Sequence, residues 1–486
     1  MNSKNKLKKE RSLQVTNTPT SIFVASFLWL LFTANLVYLI IHFNSFDGWN
    51  YTNLIRINRF SLLIWTTVTF FSAIVATYAK NYLTGFRYKS RFMILCLLFT
   101  LSVMLLVISN HVGLIIVSWL VMGFFMSRLI GIDKDWEEAK QASKFTQRYF
   151  LTGTFFLTVG ILLVAISSNS YSISELTSAV FELPKYILII AALCVICAAI
   201  VQSAIYPFHR WLLSAMTSPT PASALMHAGF VNGAGILLSL FATLLFASET
   251  LTILFIIGGF TAIVAQFAKL LQVNVKHKLA FSTIAQMGFM IMQCGLGFFN
   301  AAVAHLILHG FYKAYLFLSS GEEVAQVKTT KIKVIKIKPL QALAVLIFGV
   351  LGAYAFILWT GKGFKMDSSV FLTLVVAITV GQATYNIVKE KSLSNFQKIG
   401  LPILLFFLGI GVYALFYNGV TFLMRDMPMV NHPTPLSWVQ IIFGFIFLFG
   451  FFIMKLGVYK KIPWLYVKLL NLSQPYNKSI LLYKSK

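Results

Sequence analysis

Long apolar runs separated by short polar joints dominate the chain, and no other feature narrows its possible folds as much. Runs of about 20 apolar residues read as membrane-spanning helices. Fourteen can be counted, near residues 21–41, 60–79, 92–108, 111–131, 149–168, 186–206, 223–247, 252–272, 280–297, 300–320, 339–360, 369–388, 400–418 and 438–457. In hydrocarbon every backbone amide and carbonyl must be paired inside the structure, so each run reads as a helix. Charged residues are 11% of the 486, where soluble domains carry roughly 25%. The expected fold is an all-α polytopic membrane protein with 14 transmembrane helices, one of them discontinuous, in one domain over residues 21–458. A polar cytoplasmic tail (1–20) precedes it. A basic, aromatic-rich cytoplasmic tail (459–486) follows, placed on the membrane surface.

The net charge of +26 is distributed by side. Of 40 Lys and Arg, six (Arg56, Arg59, Lys185, Lys362, Lys365, Arg425) fall in odd-numbered joints, and Lys313 lies within a span. The other 33 fall in the tails, the even joints or the span ends facing them. The positive-inside rule then puts both termini and the even joints in the cytoplasm. So sided a distribution argues against nucleic acid as the partner. The basic runs, including Lys328 to Lys338, read as topology signals and contacts to anionic lipid. About twenty polar-leaning residues precede the first run and no small-residue cleavage site follows it, so a retained signal-anchor is expected. Cys96, Cys194, Cys197 and Cys294 all sit in spans, and the Cys194–Cys197 pair reads as packing rather than as a redox or metal motif.

The stretch Ala198 to Ile236 interrupts this pattern. An apolar helix runs into Pro207, His209 and Arg210 sit beside Trp211, and Pro219-Thr220-Pro221 stops any helix, since proline has no amide to donate. A second apolar run follows at once, with His227 about two turns inside it. Irregular backbone at membrane depth is tolerated where protein or a wet cavity satisfies it. A break followed by a buried ionisable group is what transporters place at their ion sites. The plainer alternative is a proline-punctuated loop with a packed histidine.

All fourteen acids lie outside the centres of the spans, Glu322 and Glu323 coming closest, which disfavours cation transport on buried carboxylates. The joint 132–148 mixes signs and reads as a solvated helix. Lys276, His277 and Lys278 form a cytoplasmic turn before a span containing Ser282, Thr283 and Gln286. The next span carries His305, His309 and Lys313 at i, i+4 and i+8, on one stripe of a helix. A lysine at membrane depth is costly unless it finds partners or water, and histidine titrates near physiological pH, so the stripe can pass protons stepwise. A structural polar network is the alternative. Two histidines without a carboxylate or thiolate are an incomplete metal site, so no metal is expected here.

The runs WLLSAMTSPTPASALMHAG, LAFSTIAQMGFM and HLILHGFYKAYLFLSSG resemble the antiporter-like membrane subunits of respiratory complex I and of multisubunit sodium/proton antiporters, over about residues 110–325. The resemblance implies that 186–221 is the family's discontinuous helix, with Pro207, Pro219 and Pro221 marking the break. It implies a proton or cation path through His227, Lys276, His305, His309, Lys313 and Gln202. The family's glutamate–lysine pair falls on Leu120, after Trp119, and on Gln202, on helices expected to face each other. The C-terminal half lacks the family's second lysine motif.

These departures resemble a divergent branch, the membrane subunits of two-component inorganic carbon pumps. That branch implies a non-enzymatic subunit of a bacterial inner or plasma membrane, conducting protons or another cation. Its large partner subunit would carry zinc and hydrate CO2 to bicarbonate, with no cofactor on this chain. A cation/proton antiporter or NADH–quinone oxidoreductase subunit, and a non-transporting scaffold, are the competing classes.

Overall fold

A computed structural model describes residues 18–44, 46, 48–320, 339–361, 366–389, 394–456 and 462–474. Glu322, Glu323, the run Lys328 to Lys338 and most of both tails lie outside the described residues.

Helix α1 (Pro19–Ile41) precedes an antiparallel hairpin of β1 (Trp49–Tyr51) and β2 (Ile55–Ile57), with Trp49 opposite Ile57. Then come α2 (Arg59–Tyr82), α3 (Lys89–Ile108), α4 (Val112–Ile130), α5 (Glu137–Ser168), the short α6 (Ile173–Ala179) and α7 (Lys185–Gln202). The interrupted region holds α8 (Arg210–Ser214), α9 (Thr220–Leu225), a π turn (Met226–Phe230), α10 (Gly233–Leu240) and α11 (Ala242–Ala247). The chain continues through α12 (Leu251–Lys269), α13 (Val275–Gly295), α14 (Phe299–Ser320), α15 (Pro339–Thr360), α16 (Ser369–Lys389), α17 (Asn395–Leu423), α18 (Trp438–Leu456) and α19 (Pro463–Leu472). Among the described residues nine helical segments are long and apolar enough to cross a membrane, and shorter apolar stretches are described within α15, α16, α17 and α18. The fold is an all-α, multi-pass membrane architecture, and the nine segments counted among the described residues do not confirm the number fourteen.

Local chemistry sets several boundaries. Asn58 and Ser61 cap α2 reciprocally, the Asn58 side chain accepting from Ser61 N and Ser61 Oγ accepting from Asn58 N, both at 2.8 Å. His111 Nδ1 accepts from Gly113 N at 3.1 Å and caps α4. The sign-mixed joint 132–148 is mostly the first third of α5, whose opening Glu137 and Glu138 suit a helix N-terminus.

Two compact units divide the chain. The first comprises Met1–Ala234, Asn274–Ala280 and Ile307–Glu323. Here α5 and α7 pack without a gap: a Cβ on Gly160 would lie 2.8 Å from Cys194 Cβ. Cys194 and Cys197 are free thiols.

The second unit comprises Gly235–Val273, Phe281–Leu306 and Val324–Lys486. Its core gathers Phe255, Met292, Leu296, Phe298, Phe356, Phe371 and Tyr417. Backbones of α12 and α13 touch, since a Cβ on Gly258 would meet Gly288 O and Met292 N at 2.5 Å. The segment around His432 is pinned onto the α13–α14 turn: His432 N donates to Gly297 O at 3.1 Å, and Thr434 N to Leu296 O at 3.2 Å. Asn300 Nδ2 donates to Tyr417 Oη at 3.1 Å and to Thr421 Oγ1 at 2.7 Å.

Candidate functional site

The break in the first unit begins earlier than the prolines suggest. Helix α7 ends at Gln202, five residues before Pro207, because Ala204 adopts a left-handed backbone (φ 54°). Ala204 N then reaches Val201 O at 3.2 Å and Ile205 N reaches Ile200 O at 2.9 Å. This is the double bond that closes a helix end when the residue after the cap turns left-handed, a place usually filled by glycine. Trp211 Nε1 donates to Val201 O at 2.8 Å and ties α8 back to the end of α7.

Pro219 and Pro221 start a helix as well as stopping one. Pro219 is the cap residue of α9 and Pro221 lies in its first turn, where an amide has no partner to lose. Six residues further the helix widens: Val231 N reaches back five residues to Met226 O at 3.1 Å. Such π turns are rare and collect at functional positions. His227 sits in this one.

His227 is fully buried, its ring stacked on Phe317 at 4.4 Å and 15°. Neither ring nitrogen makes a hydrogen bond among the described residues. Lys313, one turn before Phe317 on α14, is also fully buried and close enough to act electrostatically on His227. Its Nζ donates to Leu279 O at 3.0 Å, a carbonyl supplied by the start of α13. His309, one turn further back, is 5% exposed. Lys276, near the start of α13, donates through Nζ to Ser218 O at 2.8 Å and Met216 O at 3.4 Å, just before the proline pair.

The first unit thus contains His227, Lys276, His309, Lys313 and Gln202. His305 belongs to the second unit, where its ring lies 5.3 Å from Phe289. The stripe of three is continuous along α14, but the helix passes from one unit to the other within it.

Gln202 is 2% exposed, and its Nε2 donates to Phe230 O at 3.2 Å. Leu120 does not face it. Leu120 is 38% exposed on α4. The α4 residue near the Gln202 amide is Met122: a Cβ on Gly233 would lie 3.6 Å from Gln202 Nε2 and 3.7 Å from Met122 Cε. A helix turns about 100° per residue, so a two-residue offset reverses the face.

Several polar groups at this end escaped the sequence reading. Ser203 Oγ donates to Val231 O. Ser218 and Ser223 hydroxyls are 2.9 Å apart, and Tyr82 Oη lies 3.2 Å from Thr220 Oγ1. Serine and threonine are common in spanning helices, and nothing in their spacing marks these four. Phe317 looks like any other aromatic until its ring is seen against His227. Among the described residues no three His, Cys, Asp or Glu side chains gather to hold a metal ion.

Comparison with known proteins places the chain in a family. The family profile described as "NADH:quinone oxidoreductase/Mrp antiporter, TM" matches residues 109–351. "Probable inorganic carbon transporter subunit DabB2" of Halothiobacillus neapolitanus is 31% identical over 349 residues, 71% of this chain and 63% of that protein. "NADH-quinone oxidoreductase subunit L" of Rickettsia typhi is 32% identical over 285 residues, 56% of this chain and 43% of that one. The chain therefore matches less than two thirds of the length of either relative. A chain in the archaeal membrane-bound sulfane sulfur reductase superposes with a TM-score of 0.59 at 19% identity, over 93% of this chain and 91% of that one, a likeness of fold.

Proposed function

We propose a function from one premise: the chain belongs to the NADH:quinone oxidoreductase/Mrp antiporter transmembrane family. It is an antiporter-like, multi-pass membrane subunit. Our reading is that it is the DabB-type subunit of an inorganic carbon pump. In that reading it conducts protons, or another cation, to drive CO2 hydration in a DabA-like zinc-containing partner. The chemistry belongs to the partner, and both termini of this chain face the cytoplasm of a bacterium.

The observation that carries the reading is the fully buried Lys313 beside His227, with a peptide carbonyl as its anchor. An ammonium at membrane depth costs several kcal/mol unless partners or water compensate. Two positive charges that close in a low-dielectric interior repel strongly, so the pair is suited to carrying one proton at a time. Lys276 stands at the cytoplasmic end, Gln202 at the break, and His309 and then His305 continue along α14 from Lys313. Glutamine at the position of the family's lysine, and the likeness to the Halothiobacillus neapolitanus subunit, favour the carbon pump. The match to subunit L favours an antiporter or oxidoreductase subunit as the second reading.

The test is growth at air levels of CO2 in a host lacking its carbonic anhydrase, with this chain and a DabA-like partner co-expressed. Rescue should need both proteins. Lys313→Ala and His309→Ala should each abolish it while the subunit stays in the membrane at near-normal levels. Rescue by either protein alone, or full activity in both variants, would overturn the reading. Restored growth at high sodium in an antiporter-deficient host, without carbon rescue, would establish the second.

A further inference from the structure

We infer that Gln202 and Ser203 are positioning residues that hold the π turn carrying His227 in register, a role that rests on the path proposed above. Gln202 is the last residue of α7 and Ser203 its cap. Their side chains donate to consecutive carbonyls at the far end of the turn, Gln202 Nε2 to Phe230 O at 3.2 Å and Ser203 Oγ to Val231 O. Both donors are buried, Gln202 at 2% and Ser203 at 0%. Val231 and Asn232 fall between the π turn and α10, in neither helix, and a buried carbonyl in such a junction needs a donor from elsewhere. The end of α7 supplies two.

The register matters because of where the ring lies. A π turn accommodates an extra residue, and each residue of an α-helix turns the next side chain by about 100°. Collapse to an unbroken α-helix would change the direction in which His227 projects relative to α10. Its present direction puts the ring flat on Phe317, within electrostatic reach of Lys313. The donors are neutral, so they fix the turn without adding a charge to a path that carries a cation. Glutamine at 202 therefore acts on the backbone, as a clamp and not as a carrier. The sites on either side agree: Trp211 Nε1 holds Val201 O, and Asn232 Nδ2 donates to Ala228 O at 2.7 Å. Four side chains thus serve the backbone of this one region.

The experiment uses the full chain in membranes with its partner co-expressed. Gln202→Met keeps the volume and removes the donor, Ser203→Ala removes the hydroxyl, and Ser203→Thr restores one. Two quantities are read: hydrogen–deuterium exchange of the segment 226–232, and the pH profile of proton flux. The double variant should exchange at least about tenfold faster there, since opening of a local unit sets exchange. Its flux profile should move by about half a pH unit or more, because the proton-carrying ring has changed surroundings. Ser203→Thr should restore both toward the parent. Unchanged exchange would overturn the clamp. Faster exchange with an unaltered pH profile would overturn the positioning role and leave a purely structural contact. If the double variant does not accumulate, Gln202→Met alone decides by the same two criteria. If His227→Ala itself leaves flux intact, the path reading fails, and the exchange measurement alone decides whether the clamp stands.

Discussion

Position 202 tolerates an amide because its donor has a carbonyl waiting, and an ammonium there would have no counter-charge. Gln202→Lys should therefore impair the rescue assay severely. A buried, unpaired lysine is costly at membrane depth and adds a second cation near His227. A carboxylate at position 120 should not repair it, because Leu120 is 38% exposed. Met122→Glu, combined with Gln202→Lys, should restore part of the activity, since Met122 is the α4 side chain that comes to the same glycine as Gln202. Recovery with Leu120→Glu and none with Met122→Glu would refute that assignment. Aligning residues to a familiar motif identified Gln202 as the interesting position. It could not give the rotation of α4, which depends on packing against α5, where a Cβ on Gly123 would press to 3.0 Å from Phe150 Cβ.

Among the helices, what is encoded locally was legible and what depends on partners was not. Apolar runs, the break at Pro219-Thr220-Pro221 and the i, i+4, i+8 stripe all follow from spacing within a few residues. The end of α7 at Ala204 could not be read, because alanine gives no hint of a left-handed backbone. The π turn could not be read either, since its carbonyls are satisfied by side chains almost thirty residues away in sequence. His305 shows the limit of periodicity. Eight residues of helix span about 12 Å, and spacing alone does not tell that His305 and Lys313 fall in different packed units. A clear test at this scale is Gly297. Its φ is +85° and a Cβ there would lie 1.9 Å from His432 O, a clash with backbone that no rotamer relieves. Gly297→Ala should destabilise the protein by about 2–3 kcal/mol, read as a lowered melting temperature of the detergent-purified chain. Gly361→Ala, also at positive φ but with nothing within 4 Å of its Cβ among the described residues, should cost less.

For the chain as a whole, the sidedness of 33 basic residues predicts which loops reach which solution. A cysteine at Asn431 should react with an impermeant thiol reagent in intact cells, and one at Lys331 should react only after the membrane is opened. The reverse pattern would invert the topology. Background from the native thiols should be low, because Cys96 and Cys294 are buried and Cys194 and Cys197 lie within α7. The anchor under Lys313 has a pharmacological consequence. Many ion-translocating membrane proteins are poisoned by hydrophobic carbodiimides, whose central carbon is attacked by the oxygen of a protonated carboxyl group inside the bilayer, the proton passing to the reagent's nitrogen. Leu279 supplies a peptide oxygen to the Lys313 ammonium, and a peptide oxygen neither takes a proton near neutral pH nor forms that adduct. Conduction through this subunit should persist in dicyclohexylcarbodiimide, measured as proton flux in vesicles holding the chain and its partner. Complete block, with the label mapped to this chain, would mean that a carboxylate takes part after all.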